Sequence, residues 1–252
     1  MMTNKNLTHY IYGIADNALI LGQRISELCG HGPNLENDIA MTNVSLDLLG
    51  QTRSYYQYIG KLSPDKLTED DVAFLRKENE YRNVLLVEQP NTDFAYVITR
   101  QYFFDVFHFM LLEELQKSIN VNLMAIAKKS IKEVGYHKRF SGDWLIRLGD
   151  GTEESHQKAQ QAVNDLWMFT NELFETSDQD QLVIDAKHGA DISGLKDKYY
   201  KEVSSLLNRA TLDVPEMQYF QNGGKNGVHT EHMGYILADM QFMQKTYPNM
   251  KW

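Results

Sequence analysis

The sequence predicts an all-α protein, a bundle of long helices with additional C-terminal helices. The first observation is a shortage of turn residues: 16 glycines and 5 prolines in 252 residues fall below average usage, which disfavours a many-stranded β fold. The second is the spacing of apolar residues, which in the first segment recur every three or four positions along one helical stripe. The third is that long predicted helices are joined by short connections, which is typical of antiparallel neighbours in a bundle.

Capping and breaking residues bound the first three helices. The apolar stripe of the first helix consists of Ile11, Ile14, Ala18, Leu21, Ile25 and Leu28. Gly30 follows that stripe and ends the helix. A second helix is predicted from about Leu35 to Ile59. Thr68, followed by acidic residues, predicts the cap of a third helix that runs to about Val87.

Five further helices complete the predicted bundle. Asp93 lies where the fourth helix opens, and this helix carries the densest apolar run of the chain, residues 102–112. Because that run exceeds what one core absorbs, part of it is expected to pack against a partner protein. The remaining helices are predicted over about 121–148, 152–175, 196–208 and 230–246, and residues 176–195 are predicted as a loop.

Length, charge and cysteine content restrict the class of protein. The length fits a single domain over 1–252, and a net charge of −9 disfavours a nucleic-acid or anionic-membrane surface. Cys29 is the only cysteine, which predicts a cytoplasmic location, and a small buried thiol is its expected state. The sequence predicts no signal peptide and no membrane-spanning segment.

Polar residues on the inner faces of a helical bundle raise the question of a di-metal carboxylate site. Such sites use a Glu from each of two helices and a Glu-x-x-His motif from each of two others. The candidate positions in this chain are Asp47, Glu80, Asn83, Asp105, Val134 and His137. Asparagine at 83 stands where the motif needs histidine, and valine at 134 stands where it needs glutamate. Two interpretations stay open, buried polar groups that satisfy each other or bind water and a metal site, and the missing ligands favour the first.

A glycine-rich loop at 223–227 precedes the last helix. Gly223, Gly224 and Lys225 could present backbone N–H groups and a cation to a phosphate. The residue order is not that of a P-loop and no strand precedes it, which favours a structural turn. His229 and His232 are interpreted as packing at the helix start, and no catalytic residue is predicted.

Several stretches together resemble one protein family. They are, in chain order, LGQRISE at 21–27, CGH at 29–31, LDLLGQ at 46–51, NVLLVEQPN at 83–91, RQYF at 100–103, IKE at 131–133, YH at 136–137, RFS at 139–141, Trp144, RLGDGT at 147–152, GGK at 223–225, Gly227, HTEH at 229–232 and Trp252. They cover the chain from about Tyr10 to its end, in order. The sequence thus resembles the C-subunit (PaaC-like) family of the multicomponent phenylacetyl-CoA epoxidase of bacterial phenylacetate catabolism.

The resemblance implies a ferritin-like helical bundle that pairs with a related A subunit. In this family the A subunit is expected to carry the di-iron centre, bind phenylacetyl-CoA and convert the ring to its 1,2-epoxide with O2. A reductase subunit with flavin and Fe–S groups would deliver electrons from NADPH. The C subunit is expected to be structural, so the six candidate positions are matched to degenerate iron-ligand positions, and no metal or cofactor is expected in this chain.

Two hypotheses of function follow. The first is a structural, non-catalytic subunit that supports the A subunit of the epoxidase. The second is an independent di-iron oxidase or oxygenase with an atypical ligand set, which the metal content of the isolated chain would reveal. A weaker variant of the first hypothesis lets Gly223, Gly224 and Lys225 contact the coenzyme A part of the thioester substrate.

Overall fold

A computed structural model describes residues 2–217, 219–248 and 250. The α-helices are α1 Asn4–Ser26, α2 Leu35–Leu62, α3 Glu69–Phe74, α4 Phe94–Leu115, α5 Val121–Gly149, α6 Glu153–Trp167, α7 Asp178–Asp185, α8 Leu195–Arg209 and α9 Glu231–Thr246, with short 3₁₀ turns at Glu78–Glu80, Leu85–Glu88, Asn171–Phe174 and Gly224–Asn226. The described residues contain no β-strand, which confirms the all-α prediction. Trp252, the last residue of the family resemblance, lies outside the described residues.

The helices belong to two compact units that alternate along the chain. The first unit comprises Met1–Glu88, Asp178–Val183 and Gly223–Trp252, and the second comprises Gln89–Ser177 and Ile184–Asn222. The single domain over 1–252 stays a prediction. Within the described part of the chain, no helix has both the length and the apolar content that crossing a lipid bilayer requires.

In the first unit, α1 and α2 pack along each other. Both helices begin at a capped residue. Thr3 forms a capping box with Asn6 at the start of α1, and the Asn34 side chain accepts a hydrogen bond from the backbone N–H of Asn37 at the start of α2. The predicted apolar stripe of α1 is buried from position 11 to position 25. Ser45 on α2 donates to the backbone carbonyl of Gly22 on α1 (2.8 Å), so a polar contact fixes the approach of the two helices.

The first unit contains a buried ion pair between Asp16 and Arg76. Asp16 on α1 is fully buried, and its Oδ1 accepts the Arg76 Nη2–H (2.6 Å) and the Tyr56 hydroxyl (2.5 Å). The Arg76 guanidinium carbon lies 4.4 Å from the ring centroid of Tyr12 and 4.0 Å from that of Tyr81. The carboxylate of Asp16 therefore accepts hydrogen bonds, and the guanidinium of Arg76 packs against two aromatic rings. Burial of a charged pair requires such contacts.

The third predicted helix is wrong beyond Phe74, where α3 ends. The backbone N–H of Arg82 donates to Asp16 Oδ2 (2.8 Å). The backbone N–H of Val84 donates to Asn17 Oδ1 (2.8 Å). Because side chains of α1 accept these N–H groups, the segment forms short 3₁₀ turns and extended backbone where a helix to Val87 was expected.

In the second unit, α4 packs against α5, α6 and α8. Phe103, Phe104 and Phe107 are at most 3% exposed, whereas Phe109 is only partly buried and lies under the Lys138 ammonium (4.2 Å to the ring centroid). The expectation that this helix holds more apolar surface than the chain can bury is therefore wrong.

Three other local expectations differ from the structure. The segment expected as a loop contains α7, whose one buried residue is Val183. The helix expected to reach position 175 ends at Trp167 and is followed by a 3₁₀ turn. Cys29 is exposed, not buried, because α1 ends at Ser26 and the cysteine lies in the turn that follows.

Candidate functional site

The second unit contains a buried group of polar side chains on the facing sides of α4 and α5. We call it the α4–α5 polar cluster; it consists of Gln101, Asp105, His108, His137 and Ser141. Its α4 members are four and three residues apart and its α5 members four apart, so each set lies on one helix face. All five are at most 1% exposed. The cluster is therefore a group of buried polar side chains between α4 and α5.

Asp105 is the centre of this cluster. Its Oδ1 accepts the Gln101 Nε2–H (2.6 Å) and its Oδ2 accepts the Ser141 hydroxyl (2.8 Å). Burial raises the pKa of the Asp105 carboxyl to about 7, and the neighbouring His137 ring and the two hydrogen bonds oppose this rise. Protein donors thus occupy both carboxyl oxygens.

His108 is a neutral imidazole at physiological pH. Burial, with a smaller electrostatic contribution from the neighbouring His137 side chain, lowers the pKa of His108 to about 3. His108 Nδ1 and Gln101 Oε1 have no hydrogen-bond partner among the described residues. The cluster is therefore polar beyond what its own internal bonds satisfy, which is typical of a site that holds an internal water.

The six candidate ligand positions divide between the two units. Asp105, Val134 and His137 lie together on α4 and α5, all fully buried. Asp47, Glu80 and Asn83 belong to the first unit. The structure thus groups three of the six positions on one pair of helices.

The three positions in the first unit do not share a helix face. Asp47 is half-buried on α2, and Glu80 is exposed, its carboxylate accepting the backbone N–H of Lys77 (2.7 Å). Asn83 is fully buried on backbone that belongs to no helix. The expected helical pairing of Glu80 with Asn83 is lost, because the helix that would align them ends at position 74.

The donor set does not fit a di-iron centre. Val134 has no donor atom, and each Asp105 oxygen accepts one hydrogen bond, from Gln101 or from Ser141. Among the described residues, no group of three or more His, Cys, Asp and Glu side chains is arranged to hold a metal ion. We therefore derive no redox or oxygen chemistry from this chain's own residues.

Glu88 is the centre of a second buried polar group, which lies in the first unit and which sequence reasoning missed. We call Asn83, Glu88, His229 and Thr230 the Glu88 clamp. Glu88 Oε1 accepts from Asn83 Nδ2 (2.8 Å) and lies 2.6 Å from His229 Nδ1. Glu88 Oε2 accepts the backbone N–H (2.9 Å) and the hydroxyl (2.7 Å) of Thr230.

The Glu88 clamp ties the segment after α3 to the start of α9. The Arg24 Nε–H donates to the backbone carbonyl of Glu88 (3.0 Å), so α1 is joined to the same segment. His229, just before α9, therefore lies against a buried carboxylate. The signal for the clamp was present in the two resembling stretches at 83–91 and 229–232, but nothing local indicated that they meet.

The glycine-rich loop is shaped by close backbone packing. Gly223 and Gly227 have φ angles of 140° and 79°, a region that favours glycine. A Cβ atom on Gly224 would overlap the carbonyl oxygen of Asn83. The glycines are therefore explained by backbone geometry and by contact with the segment after α3.

The phosphate contact suggested for Gly223, Gly224 and Lys225 stays a prediction. The backbone N–H groups of residues 226–228 donate to the carbonyl oxygens of Gly223 and Gly224 (2.9–3.0 Å), so the turn is closed by its own hydrogen bonds. Lys225 is half-buried in the same turn. A structural turn accounts for the loop.

Comparison with known proteins agrees with the resemblance in the sequence. The sequence model of a family described as phenylacetic acid catabolic protein matches residues 1–252. This chain belongs to that family. It is 47% identical over 246 residues to the C subunit of the 1,2-phenylacetyl-CoA epoxidase of Escherichia coli (strain K12), a match that covers 98% of this chain and 99% of the relative. Family membership therefore extends over both units.

Proposed function

We propose that this chain is the structural, non-catalytic subunit of a phenylacetyl-CoA epoxidase complex, which supports a di-iron catalytic subunit in aerobic phenylacetate catabolism in the cytoplasm. The similarity to the C subunit of an epoxidase over almost the full length of both chains supports the complex. The side chain of Val134 supports the non-catalytic role, because it is fully buried at a position matched to an iron ligand and has no donor atom.

The α4–α5 polar cluster has a structural task in this proposal. Val134 places a hydrocarbon side chain where a Glu-x-x-His motif would supply a carboxylate ligand. The cost of burying the Asp105 carboxyl can be offset without a metal ion, because protonation removes its charge and two hydrogen bonds satisfy its oxygens. The cluster then fixes the register of α4 against α5.

The proposed partners are the catalytic A subunit, which would hold the iron, and a reductase subunit that supplies electrons from NADPH. The proposal assigns no coenzyme A contact to the glycine-rich loop, because its glycines are explained by their backbone angles and by packing against the segment after α3. This chain contributes folding and assembly, while the chemistry takes place in its catalytic partner.

The test is co-expression with the gene of the catalytic subunit, followed by co-purification and an assay of phenylacetyl-CoA epoxidation with the reductase. We expect a stable complex that turns over the thioester. A complex built with the double variant Asp105→Asn and His137→Gln should retain the iron content and most of the activity, since these residues bind no metal in the proposal.

The matched control is Leu145→Gln, which introduces a polar group at a fully buried position of α5 outside the cluster. This control reports what destabilisation of the second unit alone does to assembly. Loss of iron and activity in the cluster variant, with assembly intact, would contradict the structural role. Failure of the wild-type chain to co-purify would contradict the proposed complex.

A further inference from the structure

The exposed side of α9 carries a stripe of five residues, with a charged residue at each end and glycine, alanine and phenylalanine between them. We call Glu231, Gly234, Ala238, Phe242 and Lys245 the α9 stripe. At 3.6 residues per turn they fall within about 80° around the helix axis. All five are exposed, while Met233, Ile236, Leu237 and Gln241 of α9 are buried in the first unit.

The α9 stripe combines a protruding aromatic ring with a recess. Phe242 is 59% exposed. Beside Gly234 runs a groove of about 500 Å³ whose lining includes Glu78, Leu237 and Phe242 itself. A Cβ atom at Gly234 would meet only Glu78 Oε2, at 3.8 Å, so there is open space over the glycine.

The two ends of the stripe carry opposite charges. Glu231 lies in the first turn of α9 and Lys245 in the last. Neither side chain has an ion-pair or hydrogen-bond partner among the described residues. They are separated by 14 positions, about 21 Å along the helix, which is too far for a contact within one copy.

These features match one another in a single antiparallel register. When a second copy of α9 crosses this one in the opposite direction with Ala238 at the two-fold axis, Phe242 of one copy lies opposite Gly234 of the other, because each is four residues from Ala238. In the same register, Lys245 lies opposite Glu231, because each is seven residues from Ala238. The contact is isologous, so every pairing occurs twice.

We propose that the α9 stripe is a self-docking surface at which two copies of this chain associate through antiparallel α9 helices. The aromatic ring of Phe242 enters the recess over Gly234 of the second copy, and two Glu231–Lys245 ion pairs close the ends. The occupant is a second copy because each protruding, recessed and charged element of the stripe has its counterpart within the same stripe. This inference is independent of the proposed epoxidase role.

The first test is sedimentation equilibrium of the full chain over a concentration series. One helix pair buries a small area, so we expect a monomer–dimer equilibrium with a dissociation constant in the micromolar range, on the order of 1–100 μM. Phe242→Ser should raise that constant at least about tenfold. The matched control Leu46→Ser, at an apolar side chain of α2 that is 61% exposed, should leave it unchanged.

The second test exchanges the charges. Glu231→Lys and Lys245→Glu should each weaken dimerisation alone, since each places like charges opposite each other. The double variant should dimerise as the wild type does, and an equimolar mixture of the two single variants should form a heterodimer. Only a two-fold antiparallel register pairs the charges this way.

Gly234→Met separates docking from folding. The substitution should keep or raise the melting temperature, because the space over Gly234 is open and methionine favours the helix more than glycine does, yet it should abolish the dimer by filling the recess. A chain that remains monomeric at all concentrations would overturn the proposal. So would a dimer that is indifferent to Phe242→Ser and to the charge exchange.

Discussion

Asp105 and Glu88 are both fully buried carboxyl groups, and their surroundings give them different roles. Two neutral donors meet Asp105, and burial raises its pKa to about 7. Glu88 makes four polar contacts, two with Thr230, one with Asn83 and one with His229 Nδ1. We therefore expect the contribution of Asp105 to the free energy of unfolding to depend on pH. The contribution of Glu88 should depend on its four polar contacts.

The first prediction concerns pH. Because the pKa of Asp105 is raised from an ordinary value of 3.8 to about 7 in the folded chain, the folded state binds more protons than the unfolded state between these values. The contribution of Asp105 to stability is thus fully present below pH 4 and is lost as the pH rises through about 7.

Asp105→Asn should remove this decline, measured as the difference between the two proteins in urea unfolding from pH 4 to pH 8. His108 stays neutral over this range, while His137 is retained in both proteins. Parallel curves for the two proteins would contradict the assignment.

The second prediction concerns the Glu88 clamp. Glu88→Gln replaces one acceptor oxygen by an amide that faces the Thr230 donors, so we expect a loss of about 3 kcal/mol in the free energy of unfolding. Glu78→Gln, at an exposed residue of the same unit, should change it by less than about 0.5 kcal/mol. Denaturant unfolding measures both values. Equal effects of the two substitutions would show that the clamp does not hold the segment.

At the scale of elements, local signals in the sequence predicted most helix ends. Asp93 accepts the Tyr96 backbone N–H (2.8 Å) as the cap of α4, and α5 ends at Gly149 as expected. The failure at the third helix has a non-local cause, since Asp16 and Asn17 on α1 take the N–H groups that a helix would use. The burial of Asp105 could be predicted from its apolar neighbours on α4, whereas Glu88 meets partners 141 and 142 residues away, which no local pattern shows.

The third prediction tests the packing of the glycine-rich loop on the segment after α3. Gly224→Ala places a Cβ atom against the Asn83 carbonyl oxygen, so we expect a loss of about 1–3 kcal/mol in stability. Gly50→Ala, in the middle of α2 with no atom near the new Cβ, should instead stabilise the chain by up to about 1 kcal/mol. Thermal or denaturant unfolding of the two variants compares them directly. A neutral Gly224→Ala would mean that the loop can shift away from Asn83.

At the scale of the whole molecule, the family relationship covers the full chain, while among the described residues no group of three or more His, Cys, Asp and Glu side chains is arranged to hold a metal ion. The apolar run of α4 is buried within the chain, so it does not require a partner. Val134 and the hydrogen-bonded Asp105 leave the cluster without a carboxylate ligand pair. The account therefore depends on the claim that this chain binds no iron of its own.

The most direct test of that claim is elemental analysis of the isolated chain after anaerobic incubation with Fe(II) and removal of free metal. The account predicts iron far below one ion per chain, and iron that appears only when the catalytic subunit is present in the complex. About two iron ions per chain, lost on His137→Ala, would contradict it and would favour an independent di-iron oxidase.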